Sequence, residues 1–89
     1  MPFKVLIDSD IFYDLPAERR PQIKEALKEL ENPLPGGRKK KVKGHVKGAY
    51  RLRVGDFRVM YKIDFETKEV FVFDILTAEQ AHKKYDRLI

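Results

Sequence analysis

Arg51, Arg53 and Arg58 are the residues of this 89-residue chain whose type and spacing best suit chemistry. They sit in two strictly alternating runs, Tyr50-Arg51-Leu52-Arg53-Val54 and Phe57-Arg58-Val59-Met60-Tyr61-Lys62-Ile63, joined by Gly55-Asp56. Alternation of apolar and polar residues marks a half-buried strand, and a two-residue connection beginning with glycine marks a tight hairpin. The turn fixes the register, so that Val54 opposes Phe57, Arg53 opposes Arg58, Leu52 opposes Val59 and Arg51 opposes Met60. One face then carries Tyr50, Leu52, Val54, Phe57, Val59, Tyr61 and Ile63 towards a core, and the other carries Arg51, Arg53, Arg58 and Lys62.

Like charges placed opposite each other in a sheet destabilise it, by up to about 1 kcal/mol. Stability alone would favour an acid at one of these positions, so three converging guanidinium groups point to an anionic ligand. Planar guanidinium forks bind phosphate oxygens in bidentate fashion, and a phosphoryl centre passing through a pentavalent state needs charge stabilisation above all. The alternative is that an acid on a neighbouring strand, Asp74 being at hand, neutralises the cluster.

The wider charge distribution agrees with a polyanion binder. Residues 38–62 hold ten Lys/Arg and one acid, Asp56, whereas the rest of the chain holds nine bases and thirteen acids. That polarity says more than the net charge of +5. Lys39, Lys40, Lys41 and Lys43 read as a flexible, glycine-flanked basic loop suited to sequence-blind contact with a polyanion backbone, which the resemblance described below makes RNA. Lys62, Lys83 and Lys84 are further candidates for RNA contact. His82 has the one ordinary pKa in its region that suits proton transfer near neutrality, the alternative being an inert surface histidine. His45 reads as an exposed loop residue. Two distant histidines and no cysteine make no metal-ligand spacing, Gly36-Gly37 lacks the context of a phosphate-binding loop, and the single serine, Ser9, reads as a helix cap. No metal or cofactor is expected.

The elements that must position these residues follow from periodicity. Phe3, Val5 and Ile7 alternate as a first strand, and Asp8 or Ser9 caps a short helix carrying Ile11, Phe12 and Leu15. Ala17 to Glu31 forms the main helix, with Ile23, Ala26, Leu27 and Leu30 on one stripe and Pro21 obscuring its start. After the hairpin, Val70 to Leu76 is apolar on both faces, as in a strand covered on both sides, and Glu79 to Leu88 forms a short helix or tail. The expected fold is α+β, a single domain over residues 1–89. Its mainly antiparallel four-stranded sheet, in the order β-α-α-β-β-β, carries the helical hairpin on one face and ends in a short C-terminal helix or tail. No signal-peptide core and no long apolar stretch is present, so the chain reads as soluble and cytoplasmic, without a membrane partner.

The stretch from Tyr50 to Tyr61 resembles the hallmark hairpin of the RelE/ParE toxin superfamily, and Lys41-Val42-Lys43-Gly44 resembles the basic segment that often precedes it. The helical hairpin before and the apolar strand after extend the resemblance over essentially the whole chain. It implies a type II toxin held silent by a RelB-like antitoxin. The RelE-type members cleave mRNA on the ribosome without metal, by attack of a 2′-hydroxyl on its adjacent phosphate. By position, Arg51 and Arg53 match the two basic residues of the family's second strand, Arg58 the arginine of its third, and Tyr85 a tyrosine that stacks on or orients a base. The alternative for Tyr85 is that it packs the tail onto the sheet. The pattern departs at Thr77-Ala78-Glu79-Gln80, where many RelE-like toxins carry arginine or histidine; His82, Lys83, Lys84 and Arg87 lie close by. Two other functions stay open: a ParE-like inhibitor of DNA gyrase, and a non-enzymatic RNA- or ribosome-binding module.

Overall fold

The computed structural model describes residues 2–42 and 47–86, so Lys43, Gly44, His45 and Arg87 lie outside the described residues. Strand β1 (Lys4–Ile7) leads to α1 (Ser9–Tyr13), which Asp8 caps by accepting the Asp10 N–H at 2.8 Å. The main helix is divided. Its α-helical part, α2 (Arg20–Leu27), lies between 3₁₀ turns at Ala17–Arg19 and Lys28–Glu31. Pro21 falls in the first turn of α2, where its missing N–H costs no helical bond. Ile23, Ala26 and Leu30 are buried, as the stripe requires.

The sheet has five strands, not four, in the order β1-β5-β4-β3-β2, and it is mixed, because β1 runs parallel to β5. The strand absent from the sequence reading is β2 (Lys39–Lys41), which lies within the stretch expected to be a loop. Three consecutive lysines show no apolar alternation. What makes them a strand is backbone pairing with β3 (Ala49–Val54), Lys39 opposite Leu52, Lys40 opposite Arg51 and Lys41 opposite Tyr50. Reciprocal 2.9 Å bonds between Gly36 and Lys39 and a 3.0 Å bond from Arg53 N–H to the Arg38 carbonyl complete the edge. Lysine is well suited there, since charge on an edge strand discourages pairing with other chains.

Between β3 and β4 (Phe57–Asp64) the register is the expected one throughout, Arg53 opposite Arg58 included. Gly55 takes φ of 55° at the first turn position, the left-handed region that glycine enters without penalty. Strand β5 (Glu69–Thr77) pairs with β4 through a bulge: Met60 faces Asp74 but Tyr61 faces Val72, so β5 carries one extra residue there. The bulge turns Phe73 and Asp74 to the same side of the sheet.

Each face of the sheet has its own core. On the helical side Leu15, Ile23, Ala26 and Leu30 pack on Leu52, Val54, Phe57, Val59, Tyr61, Val70 and Val72. On the other side Val42, Ala49, Met60 and Leu76 are covered by Ala81 and Tyr85 of the C-terminal segment. That segment is α3 (Ala78–Ala81) followed by a π-helical turn (His82–Asp86). Thr77 and Gln80 form a reciprocal capping box at its start, and the Ala78 N–H reaches back 2.7 Å to the Asp56 carbonyl in the hairpin turn. Coverage stops short of Phe71, which is 41% exposed, so β5 is not covered on both faces along its whole length. No described helix is long and apolar enough to cross a membrane.

Tyr61 ties the layers together. Its buried hydroxyl donates to the Pro33 carbonyl at 2.8 Å, and its ring stacks on Tyr50 at 5.6 Å. Burial, then the neighbouring Tyr50, raises its pKa well above the usual phenol value. Tyr61→Phe should lower stability by about 1–2 kcal/mol, read as urea or thermal denaturation followed by circular dichroism. Because the folded-state pKa is raised, Tyr61 supports the fold fully below about pH 10, and that support declines as the pH rises further and the unfolded phenol ionises. The parent should therefore lose stability above pH 10 more steeply than Tyr61→Phe.

Candidate functional site

The hairpin register sets two rows of side chains across the face opposite the helices. One runs from Arg38 at the edge through Arg53 and Arg58 to Leu76; the other runs Lys40, Arg51, Met60, Asp74. Their basic ends enclose a cleft of about 210 Å³ lined by Gly37, Arg38, Lys40, Arg51, Arg53 and Arg58. Every side chain in that lining is a cation. At roughly 30 Å³ per water molecule, the space admits a phosphate with its ester arms.

Arg58 is held firmly, its Nη1 donating to the Gly55 carbonyl at 3.1 Å and the Phe57 carbonyl at 3.0 Å. Burial, followed by the Arg51 and Arg53 guanidinium groups, lowers its pKa from the ordinary arginine value, while Asp56 pulls the other way. The group stays protonated, because that ordinary value is so high. Neither nearby acid lines the cleft. The Asp56 side chain is 83% exposed and stands 3.8 Å from Arg19. Asp74 Oδ2 accepts Lys84 Nζ and the Tyr85 hydroxyl, both at 2.8 Å, and Met60 separates Asp74 from Arg51 in its row.

The remaining candidates are dispersed. Lys39 shares the helical side of the sheet, where its Nζ donates to the Asn32 carbonyl at 2.5 Å and the Glu29 carbonyl at 3.4 Å. It is a structural tie rather than a flexible loop cation. Lys41 is exposed on the edge, and Lys62 holds its ammonium 5.7 Å above the Phe73 ring. Lys83 pairs with Glu79 at 3.3 Å, and Lys84 with Asp74, whose hydrogen bond is the main cause of its raised pKa. His82 is exposed on the tail, outside the cleft lining.

Tyr85 is 5% exposed, edge-on to Phe73 at 6.2 Å, with its hydroxyl on Asp74. Burial first and the Asp74 bond second raise its pKa. In this arrangement the tyrosine packs the tail onto the sheet. Arg38 and Gly37 are the lining residues that the sequence reading missed. Seeing them requires the β2 register, which a run of lysines does not announce. Among the described residues no three His, Cys, Asp or Glu side chains group to hold a metal ion.

Compared with curated protein sequences, the chain finds no match. Among solved structures it resembles a RelBE toxin–antitoxin complex from Mycobacterium tuberculosis, with a TM-score of 0.74 and 21% identity over 86% of this chain and 99% of that one. An archaeal RelE–RelB complex from Pyrococcus horikoshii gives a TM-score of 0.68 and 25% identity over 86% of this chain and 96% of that one. A mutant of the Escherichia coli toxin RelE in the free state gives 0.69 and 25% over 100% of this chain and 99% of that one. The sequence model for the ParE toxin of the type II toxin–antitoxin system parDE matches residues 10–82, which take in α1 from its second residue, α2, the whole cationic hairpin and α3. The chain therefore belongs to the ParE toxin family of type II toxin–antitoxin systems, within the RelE/ParE superfamily.

Proposed function

We propose that the chain is a ribosome-dependent, metal-independent mRNA endoribonuclease, with the arginine cleft as its reacting site. The observation that carries this reading is the Arg53–Arg58 juxtaposition inside a cleft whose side chains are all cationic. In the reaction a ribose 2′-oxygen bonds to the adjacent phosphorus and the bond from phosphorus to the next 5′-oxygen breaks. A 2′,3′-cyclic phosphate and a 5′-hydroxyl result; a base takes the 2′-hydroxyl proton and an acid supplies one to the leaving oxygen. Arg51, Arg53 and Arg58 stabilise the charge that accumulates on the phosphorane oxygens, and a rigid hairpin suits that role because the donors need no reorganisation. His82 is assigned proton transfer and Tyr85 contact with a base, and both roles require the tail to lift from the sheet. Lys40, Lys41, Lys43, Lys62, Lys83 and Lys84 supply docking charge for ribosomal RNA.

The partner is a cognate RelB-like antitoxin that covers the cleft in the cytoplasm. In support, similar folds come from complexes of RelE with RelB from Pyrococcus horikoshii and Methanococcus jannaschii. Two observations favour a second reading, inhibition of DNA gyrase: the matching family model is that of the ParE toxin, and the Tyr85 ring is buried. Labelled mRNA on programmed ribosomes and a gyrase supercoiling assay separate the two. Cleavage within the ribosome-bound codon supports the nuclease, and inhibition of supercoiling with intact mRNA overturns it.

Arg58→Ala should reduce single-turnover cleavage at saturating toxin by about a hundredfold or more, as loss of one transition-state donor does elsewhere. Stability should move by less than about 1 kcal/mol, because relief of the repulsive pair offsets the two lost bonds to carbonyls. Arg58→Lys should rescue only part of the rate, lacking the planar fork.

Neutralising Lys41 and Lys43 together should do the reverse, weakening ribosome association and flattening its salt dependence while leaving the saturating rate nearly unchanged. A double variant that keeps its affinity and loses its rate would contradict this division of roles.

A further inference from the structure

Arg38 stands at the edge of the cleft, yet its guanidinium is engaged elsewhere. Nη2 pairs with the Glu29 carboxylate in the turn that follows α2. The residue borders two spaces at once: the cationic cleft, and a groove of about 490 Å³ beside α2 that Gln22, Glu25 and Glu29 also line. Its backbone is fixed by the 3.0 Å bond from the Arg53 N–H, and the neighbouring Gly36–Lys39 pair is doubly bonded at 2.9 Å. The Cα is thus anchored in the row of Arg53 and Arg58, while a long side chain lies to one side of the edge.

The ion pair that holds it there is weakly secured. Both side chains remain about two-fifths exposed, at 40% and 39%, and ion pairs so open to solvent contribute little. A phosphodiester in the cleft offers the same guanidinium a bidentate anionic acceptor among fixed cations. The row Arg38, Arg53, Arg58 crosses three strands, roughly 10 Å at a spacing of about 4.8 Å per strand. That exceeds the reach of one phosphate. With Arg53 and Arg58 on the reacting group, the third member of the row is placed for the phosphate next to it.

We propose that Arg38 is a movable ligand for the phosphate flanking the scissile one, held aside by Glu29 until a single-stranded nucleic acid enters the cleft. The proposal rests on reading the cleft as a phosphodiester site. It makes Glu29 a competitor of the ligand. A purely structural ion pair, stapling the edge of the sheet to the helix, predicts that removing either partner is harmful; the exchange predicts opposite signs.

The test is binding of a short single-stranded oligodeoxynucleotide, which lacks the 2′-hydroxyl and is not cleaved, to the full chain across a range of salt. Arg38→Ala should weaken binding about tenfold and reduce the slope of log K against log salt by about 0.7, the loss of one phosphate contact on a single strand. Glu29→Gln should tighten binding, by about threefold, and should have no effect in an Arg38→Ala background, because its influence passes through Arg38. Glu25→Gln, which removes the same charge from the same groove, should leave affinity unchanged. The proposal is overturned if Glu29→Gln weakens binding, if its gain persists without Arg38, or if Arg38→Ala binds like the parent. Arg38-dependent binding by a chain that leaves ribosome-bound mRNA intact removes the nuclease and keeps this assignment. A parent chain that does not bind the oligonucleotide overturns this assignment and leaves the nuclease to the programmed-ribosome assay.

Discussion

The register of the β3–β4 hairpin governs everything else in this molecule, and a single backbone conformation sets it. With Gly55 at φ of 55°, the turn closes in two residues and Arg53 must face Arg58. A slip of one residue would send Leu52, Val54, Val59 and Tyr61 to the tail side and bring the arginines under the helices. The apolar core on the helical side forbids that, since Leu52, Val59 and Tyr61 are wholly buried there. The repulsive arginine pair is therefore imposed by the burial of the opposite face. A penalty of about 1 kcal/mol or less is small beside the several kcal/mol gained by burying those three side chains.

This explains which parts of the structure are legible in the sequence. Period-two alternation with a glycine turn encodes the hairpin, its register and its two faces, and the i, i+3, i+4 stripe encodes the buried side of the helix. Strand β2 is illegible because Lys39–Lys41 gains its strand character from hydrogen bonds to β3 and from nothing in its own side chains. The same blindness hides Arg38, whose place in the cleft depends on that pairing. The lysine run splits accordingly. Lys40 faces the cleft, while Lys39 is tied to helix-end carbonyls, and only the alternation of a strand separates adjacent lysines in this way.

The tail is the other element that local pattern does not reveal. Two irregularities meet there, a bulge that turns Phe73 and Asp74 to one side and a π-helical turn that carries Tyr85. Together they bring the Tyr85 hydroxyl and Lys84 Nζ onto one carboxylate oxygen. Irregularities of both kinds tend to occur near functional sites, because they re-aim individual side chains. The sequence offers Asp74 as a counter-ion for the arginines, and the bulge gives it to the tail instead.

The face opposite the helices thus has two ends with different roles, and their separation is what keeps the cationic end cationic. Met60 and Leu76 continue the two arginine rows as apolar residues, and Ala81 and Tyr85 cover them. Without that cover, the apolar end would be exposed beside the cleft; with it, Asp74 at the far end of one row is engaged by Lys84 and Tyr85 of the tail. Lys84 balances Asp74 locally. The cleft is lined by cations, one of which, Arg38, is paired at its edge with Glu29. A site built this way depends on its arginines and on a lining that holds no acid, and both follow from the hairpin register and the bulge in β5.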